Sequence, residues 1–147
     1  MLEKTDARTL DHFPLMEGML ARQSRIAIKA RGRILFVDPA EIVAVQAKGN
    51  YVSLRRTAGT ELLRESMTAV EGKLRAYGFV RIHRSIIINA LFVEEIVNLS
   101  SGDNLVRIKG GMEFPVSRTY KENLRSITPL WIGANGLRAE QRAALPR

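Results

Sequence analysis

The sequence predicts a mainly β domain of about ten short strands and two short helices. Three observations carry that expectation. Apolar and β-branched residues recur in runs of four to seven, the length of strands rather than helices. Turn-forming pairs with glycine separate many of these runs: Arg31-Gly32, Gly49-Asn50, Ala58-Gly59 and Gly110-Gly111. One segment, 68–78, has convincing helical spacing, and a second, 118–127, follows the last strand.

The elements follow in order. "RIAIKA" (25–30) and "RILFVD" (33–38) flank Arg31-Gly32 as a hairpin. After "PAEI", a helical turn or loop, "VAVQAK" (43–48) and "YVSLRRT" (51–57) are joined by Gly49-Asn50, whose residues both tolerate positive φ. "TELLRE" (60–65) comes next. The helix "TAVEGKLRAYG" (68–78) has Ser66 as N-cap or Thr68 with Glu71 as a capping box, and spacing alone leaves both open. Val70, Leu74 and Tyr77 form its expected buried stripe and Gly78 its C-terminal cap. Strands resume at 79–83, 86–89, 93–99, 104–109 and 112–116. "RTYKENLRSI" (118–127) reads as a helix capped by Ser117 and stopping before Pro129. Residues 1–24 read as a leader or linker, in which Pro14 and Gly18 limit any short helix over "LMEGMLARQ" and whose order the sequence leaves open. Residues 25–128 read as the domain and 129–147 as a C-terminal tail.

Composition narrows the function. With 147 residues, 46% apolar and 26% charged, the chain fits one globular domain. No apolar run approaches the ~18 residues of a membrane-spanning helix, and the N-terminus lacks a secretory h-region, so a cytoplasmic location is expected. The net charge is +8, of which residues 1–24 carry −1, residues 25–128 carry +7 and residues 129–147 carry +2. The excess lies on the expected domain and points to an anionic partner such as nucleic acid.

Catalytic constellations are missing. No cysteine is present, and His12 and His83 are the two histidines, too few for a dedicated transition-metal site. His83 and Ser85 lack an orienting acid. Gly72-Lys73 is followed by Leu74 rather than Ser or Thr, so no phosphate-cradling loop is formed. Glu94-Glu95 fall on opposite faces of a strand and mark a solvated surface. No enzyme activity, cofactor, metal or small-molecule ligand is expected.

The polar step in "FVRIHRSIIIN" (79–89) is the most informative feature. Alternation puts Val80, Ile82, Ile86 and Ile88 on one buried face, and Arg84 falls on it too. Either Arg84 has a buried carboxylate partner, or the strand breaks at His83–Ser85 and turns it outward. Lys48 and Asn50 flank a tight turn, where Gly-Asn has a purely conformational reading. Arg118 and Lys121 open the last helix, either as a solvated turn or as a place for an anion, since cations there oppose the helix dipole.

Taken together, "AEIVAVQAKGNYVSL", "FVRIHRSIIIN" and "EFPVSRTYKENL", in this order, resemble the LytTR-type DNA-binding domain of bacterial response regulators, over about Arg25 to Ile127. The resemblance implies an elongated stack of small antiparallel sheets, with loops entering successive major grooves of double-stranded DNA. It implies sequence-specific binding by a transcriptional regulator on repeated half-sites, with a homodimer on DNA. Its contacts fall on Asn50, Arg84 and Arg118. The arginines are expected at base edges and Asn50 at adenine or a phosphate. Lys48 and Lys121 are expected on phosphates, and His83 under the loop or at a phosphate. Asn89 is expected to tie the loop through its amide, and Leu91, Phe92 and Ile96 to be core. Trp131 either docks on the sheets or forms a dimer contact. Only about 24 residues precede the match, too few for a receiver domain, so a stand-alone regulator and a fragment both stay open. The alternatives are a basic β module binding DNA or RNA without sequence preference, or a regulatory protein-interaction module. The 6% aromatic content, with Tyr51, Phe79 and Phe92 at apolar positions, argues against an open stacking platform.

Overall fold

The computed structural model describes residues 25–133. All ten expected strands are present, in three antiparallel sheets. Strands β1 (Ile26–Ala30) and β2 (Arg33–Val37) form a two-stranded ribbon. The central sheet has five strands in the order β5-β4-β3-β7-β6. They are β3 (Ile42–Lys48), β4 (Tyr51–Arg56), β5 (Gly59–Leu63), β6 (Phe79–His83) and β7 (Ile86–Asn89). Strands β8 (Val93–Asn98), β9 (Asn104–Ile108) and β10 (Glu113–Val116) make the third sheet. Among the described residues the one α-helix, α1 (Met67–Leu74), links β5 to β6.

Alternation along the central strands builds two cores. Val45, Val52, Leu54, Leu63, Phe79 and Ile87 face the ribbon and α1. Ala44, Val80, Ile82, Ile86 and Ile88 face the third sheet, meeting Val106, Ile108, Phe114 and Val116. The central sheet is therefore covered on both faces, which is why "IIIN" in β7 is apolar without alternation and buried throughout. Each wholly buried isoleucine, such as Ile82, Ile87 and Ile88, contributes roughly 1.5–3 kcal/mol of transfer free energy.

Local signals set the element ends. Ser66 caps α1, its Oγ accepting from the amide of Ala69 at 3.0 Å, so Ser66 rather than the Thr68–Glu71 box starts the helix. Gly78 closes the following turn at φ 87, a left-handed conformation that only glycine adopts without strain. Tyr77 is exposed instead of completing the stripe, which runs Met67, Val70, Leu74. The helix ends at Leu74, and Tyr77 lies in a 3-10 turn (Arg75–Tyr77). Leu91 is likewise exposed rather than core. It sits in the 3-10 turn Ala90–Phe92, where the chain leaves the central sheet for the third. Phe92 and Ile96 pack half-buried against the second core.

Two polar devices hold layers together. Asn89 is buried, and its Nδ2 donates to the carbonyls of Pro39 (3.1 Å) and Ile42 (2.8 Å) while its Oδ1 accepts from the amide of Leu91 (2.9 Å). It thus ties the start of β3 to the end of β7, not the His83–Ser85 step. Glu61, buried in β5, accepts from Arg33 of the ribbon (3.0 Å) and Arg56 of β4 (2.8 Å). On the third sheet, Glu94 and Glu95 are exposed as expected. Arg107 pairs with Glu113 and Glu95, and the Glu113 hydrogen bond, followed by the charge of Glu95, holds its guanidinium above the ordinary arginine value.

Residues 118–127 form a 3-10 helix (Arg118–Ile127), not an α-helix, and Ser117 makes no side-chain cap bond. The burial explains the winding. Tyr120 and Lys121, Asn123 and Leu124, then Ile127 are partly or fully buried, a repeat of three that a 3-10 helix lines up on one side. That side packs along β6, the edge strand of the central sheet, where it shields unpaired backbone groups. The Trp131 indole donates to the Thr128 carbonyl at 3.0 Å, so its hydrogen bond stays within the segment after this helix. The leader 1–24 and residues 134–147 of the tail lie outside the described residues.

Candidate nucleic-acid interface

Pairing brings three basic elements to one end of the central sheet. Strand β3 runs antiparallel to both β4 and β7, so the β3–β4 turn and the β6–β7 turn leave the same end. The amide of Ala47 donates to the Ser85 carbonyl at 3.0 Å and joins them there. The third element arrives from β10: the amide of Ser117 donates to the Ile82 carbonyl at 2.9 Å, setting Arg118 beside the β6–β7 turn. Lys121 follows one 3-10 turn later.

In the first element, Lys48 and Asn50 are both exposed. Gly49 takes φ 62, and among the described residues Arg31 is the one non-glycine residue with positive φ. Asn50 is thus not in the left-handed region. The turn needs glycine at its first position but does not need asparagine at its second. The side chain of Asn50 is therefore unexplained by backbone geometry.

In the second element, the two readings of Arg84 are resolved. Strands β6 and β7 are separate arms of a hairpin, with a register shift between Arg81 and His83. Arg84 lies at the turn, exposed, and no carboxylate among the described residues pairs with its side chain. His83 is half-buried and braces the turn: its Nδ1 accepts from the Ser85 amide at 3.1 Å and lies 3.0 Å from Ser85 Oγ. The buried arginine of the motif is Arg81, paired with Glu71 at 3.1 Å.

In the third element, Arg118 is 84% exposed, with its Nε 3.8 Å from an Asp103 carboxylate oxygen in the β8–β9 turn. That separation is too long for a hydrogen bond and leaves the guanidinium fork available. Lys121 is half-buried, with no carboxylate partner among the described residues.

This geometry coincides with a family match. The model of the LytTr DNA-binding domain covers residues 32–128. The chain belongs to the LytTr DNA-binding domain family. It is 29% identical over 108 residues to the sensory transduction protein LytT of Bacillus subtilis, a match spanning 73% of this chain and 44% of that protein. It is 27% identical over 107 residues to the heme-containing CO-sensing transcriptional regulator RcoM 2 of Paraburkholderia xenovorans, covering 72% and 40% of the two chains. The LytTr chain thus spans under half the length of these relatives. Among solved structures, it shares its fold with the LytTr DNA-binding domain of a methyl-accepting/DNA response regulator from Bacillus cereus. The TM-score is 0.62 at 23% identity, over 71% of this chain and 95% of the other.

Within this LytTr domain the structure adds a residue that the sequence reading missed. The β4–β5 register pairs Val52 with Leu63, which sets Arg64 opposite Tyr51 next to Asn50. Its guanidinium stacks 5.0 Å from the Tyr51 ring centroid and donates to the phenol oxygen at 3.2 Å. Tyr51, read from the sequence as an apolar strand position, is 40% exposed and serves as a platform for this arginine. The turn is Thr57-Ala58, with Arg56 paired to Gly59, one residue earlier than the Ala58-Gly59 turn expected from the sequence. Counting from the expected turn sets Arg64 opposite Ser53, and the observed register brings it to Tyr51 instead.

Proposed function

We propose that the chain is a transcriptional regulator of bacterial type that binds double-stranded DNA sequence-specifically, through loops that enter the major groove. Arg84 and Arg118 read base edges, where the arginine fork matches guanine O6 and N7. Asn50 reads adenine or holds a phosphate. Lys48, Lys121 and Arg64 sit on phosphates and fix register. His83 acts from inside the turn by holding Arg84 in place. Two copies occupy repeated half-sites.

The observation that carries this reading is the convergence of the three elements. Ala47–Ser85 and Ser117–Ile82 backbone bonds gather exposed, carboxylate-poor cationic turns at one end of a rigid sheet. Family membership supports DNA as the anion. A sheet that displayed stacked aromatics would favour RNA or single strands, but Phe79 is buried and Phe92 half-buried.

The test is in-vitro selection of the purified protein against random duplex DNA at near-physiological salt. Enrichment of a repeated short motif is expected. Binding without enrichment would replace specific recognition with a general affinity for nucleic acid, and no binding would favour an acidic protein partner.

A further inference from the structure

We infer that Arg81 is a positioning residue that fixes the spacing between the Arg84 turn and the Arg118 segment. The inference rests on the reading of those two elements as DNA contacts. Arg81 is 8% exposed, on the α1 side of edge strand β6. Its Nη1 donates to Glu71 Oε1 at 3.1 Å and reaches Thr68 Oγ1 at 3.4 Å, which anchors it to α1. Its Nε donates to the His83 carbonyl at 3.3 Å, and its Nη2 to the Arg84 carbonyl. These two carbonyls belong to the turn just past the β6–β7 register shift. One guanidinium therefore clamps the backbone that carries Arg84.

The same residue also holds the third element. The guanidinium lies 5.2 Å from the ring centroid of Tyr120, two residues after Arg118. The Arg81 carbonyl accepts from Asn123 Nδ2 at 2.9 Å. Arg81 thus contacts the supports of both reading elements while touching neither reading side chain. A core ion pair would need only the Glu71 contact. Beyond the Glu71 and Thr68 contacts on α1, the remaining bonds are directed to the turn and to the 118–127 helix. Planar donors in a fixed fork suit that task, whereas a lysine ammonium could keep the Glu71 pair but not span two turn carbonyls and a ring.

The experiment uses the full chain, the duplex recovered by selection and a scrambled duplex, with thermal unfolding alongside. Arg81→Lys is expected to bind the selected duplex about tenfold more weakly while binding to the scrambled duplex changes less than twofold. In the Arg81→Lys background, Arg84→Ala is expected to cost less than twofold more, because the turn is already misplaced. Equal losses on both duplexes, or independent multiplying effects of the two substitutions, would overturn the inference. Should Arg81→Lys fail to fold, Tyr120→Leu decides: it keeps the Glu71 pair and removes the ring. A selective loss of about threefold is expected, and an unchanged ratio between duplexes overturns the inference. A wild-type protein that enriches no sequence overturns the underlying DNA reading as well, a result visible without any variant.

Discussion

Arg84→Ala separates a DNA-reading arginine from a structural one, because the two roles move different measurements. The side chain is exposed, at the tip of the β6–β7 hairpin, and no described carboxylate pairs with it. The contact from this residue to the protein is made by its backbone carbonyl, which accepts from Arg81 and survives truncation to alanine. Its φ is not positive, so alanine fits the turn without strain. Stability should then change by less than about 0.5 kcal/mol, as for a surface site without such contacts. A lost bidentate contact to guanine should cost roughly 1–3 kcal/mol on the preferred duplex, or about 5- to 150-fold in affinity. Anisotropy titrations would compare wild type and variant on the selected duplex and on a set of single base-pair substitutions. The expected variant loses discrimination at one base pair and keeps it elsewhere. A uniform loss across all duplexes, with the salt slope reduced by about one unit, would assign Arg84 to a phosphate instead. A melting temperature lowered by several degrees would mean that the side chain belongs to the core.

The remaining predictions concern the other elements and their scaffold. Lys121→Gln should weaken binding to every duplex alike and lower the slope of log K against log salt by about one unit, read from titrations across a salt series. Asn50→Ala should leave the melting temperature unchanged and alter DNA binding, whereas Gly49→Ala, at φ 62, should destabilise by roughly 1–2 kcal/mol through forced left-handed geometry. Denaturant titration of both variants checks the contrast. Asn89→Ala should destabilise by about 3 kcal/mol, since it abandons two carbonyls and one amide in the interior. Calorimetry should show a melting temperature lower by at least about 10 °C for a domain near this size.

Most of the strand pattern was legible because short β-branched runs and glycine turns are local signals, and local signals set hairpins. What escaped depended on which faces are covered. Alternation read along 79–89 puts Arg81 on the face opposite Ile82 and says nothing of what covers that face. Helix α1 covers that side, so Arg81 is buried and Glu71 meets it from a separate element. Nothing in a strand period reports the arrival of a helix on its far face. The helix at 118–127 was found, but its type was not. Only the period-three burial of Lys121, Leu124 and Ile127 reveals the tighter winding, and that spacing is compatible with an α-helix when read alone. The turn residues were the easier part. Lys48, Asn50, Arg84 and Arg118 stood out as polar breaks in apolar order, and a sheet covered on both faces leaves such breaks only at its ends.

The ion pairs leave the turns at one end of the central sheet nearly free of carboxylates. Arg33 and Arg56 share Glu61, Arg75 and Arg81 share Glu71, Arg107 is held between Glu95 and Glu113, and Arg125 pairs with Glu122. These six arginines lie along the body of the domain against five glutamates, which offset most of their charge there. At the end of the central sheet, Lys48, Arg84 and Lys121 have no described carboxylate partner, and Arg118 has one only at 3.8 Å. Arg64 there is held by a tyrosine, which leaves its charge in place. The net charge of +8 fixes the sum of the charges but not where the field lies. On the proposed reading, these turns attract a polyanion end-on and present arginine forks first. Carboxylates placed among those turns would repel the same phosphates, so Asp103, the acid nearest Arg118, stands in the direct path of that field. Asp103→Asn should accordingly tighten binding to all duplexes, and a weakening would mean that Asp103 orients Arg118 instead of competing for it.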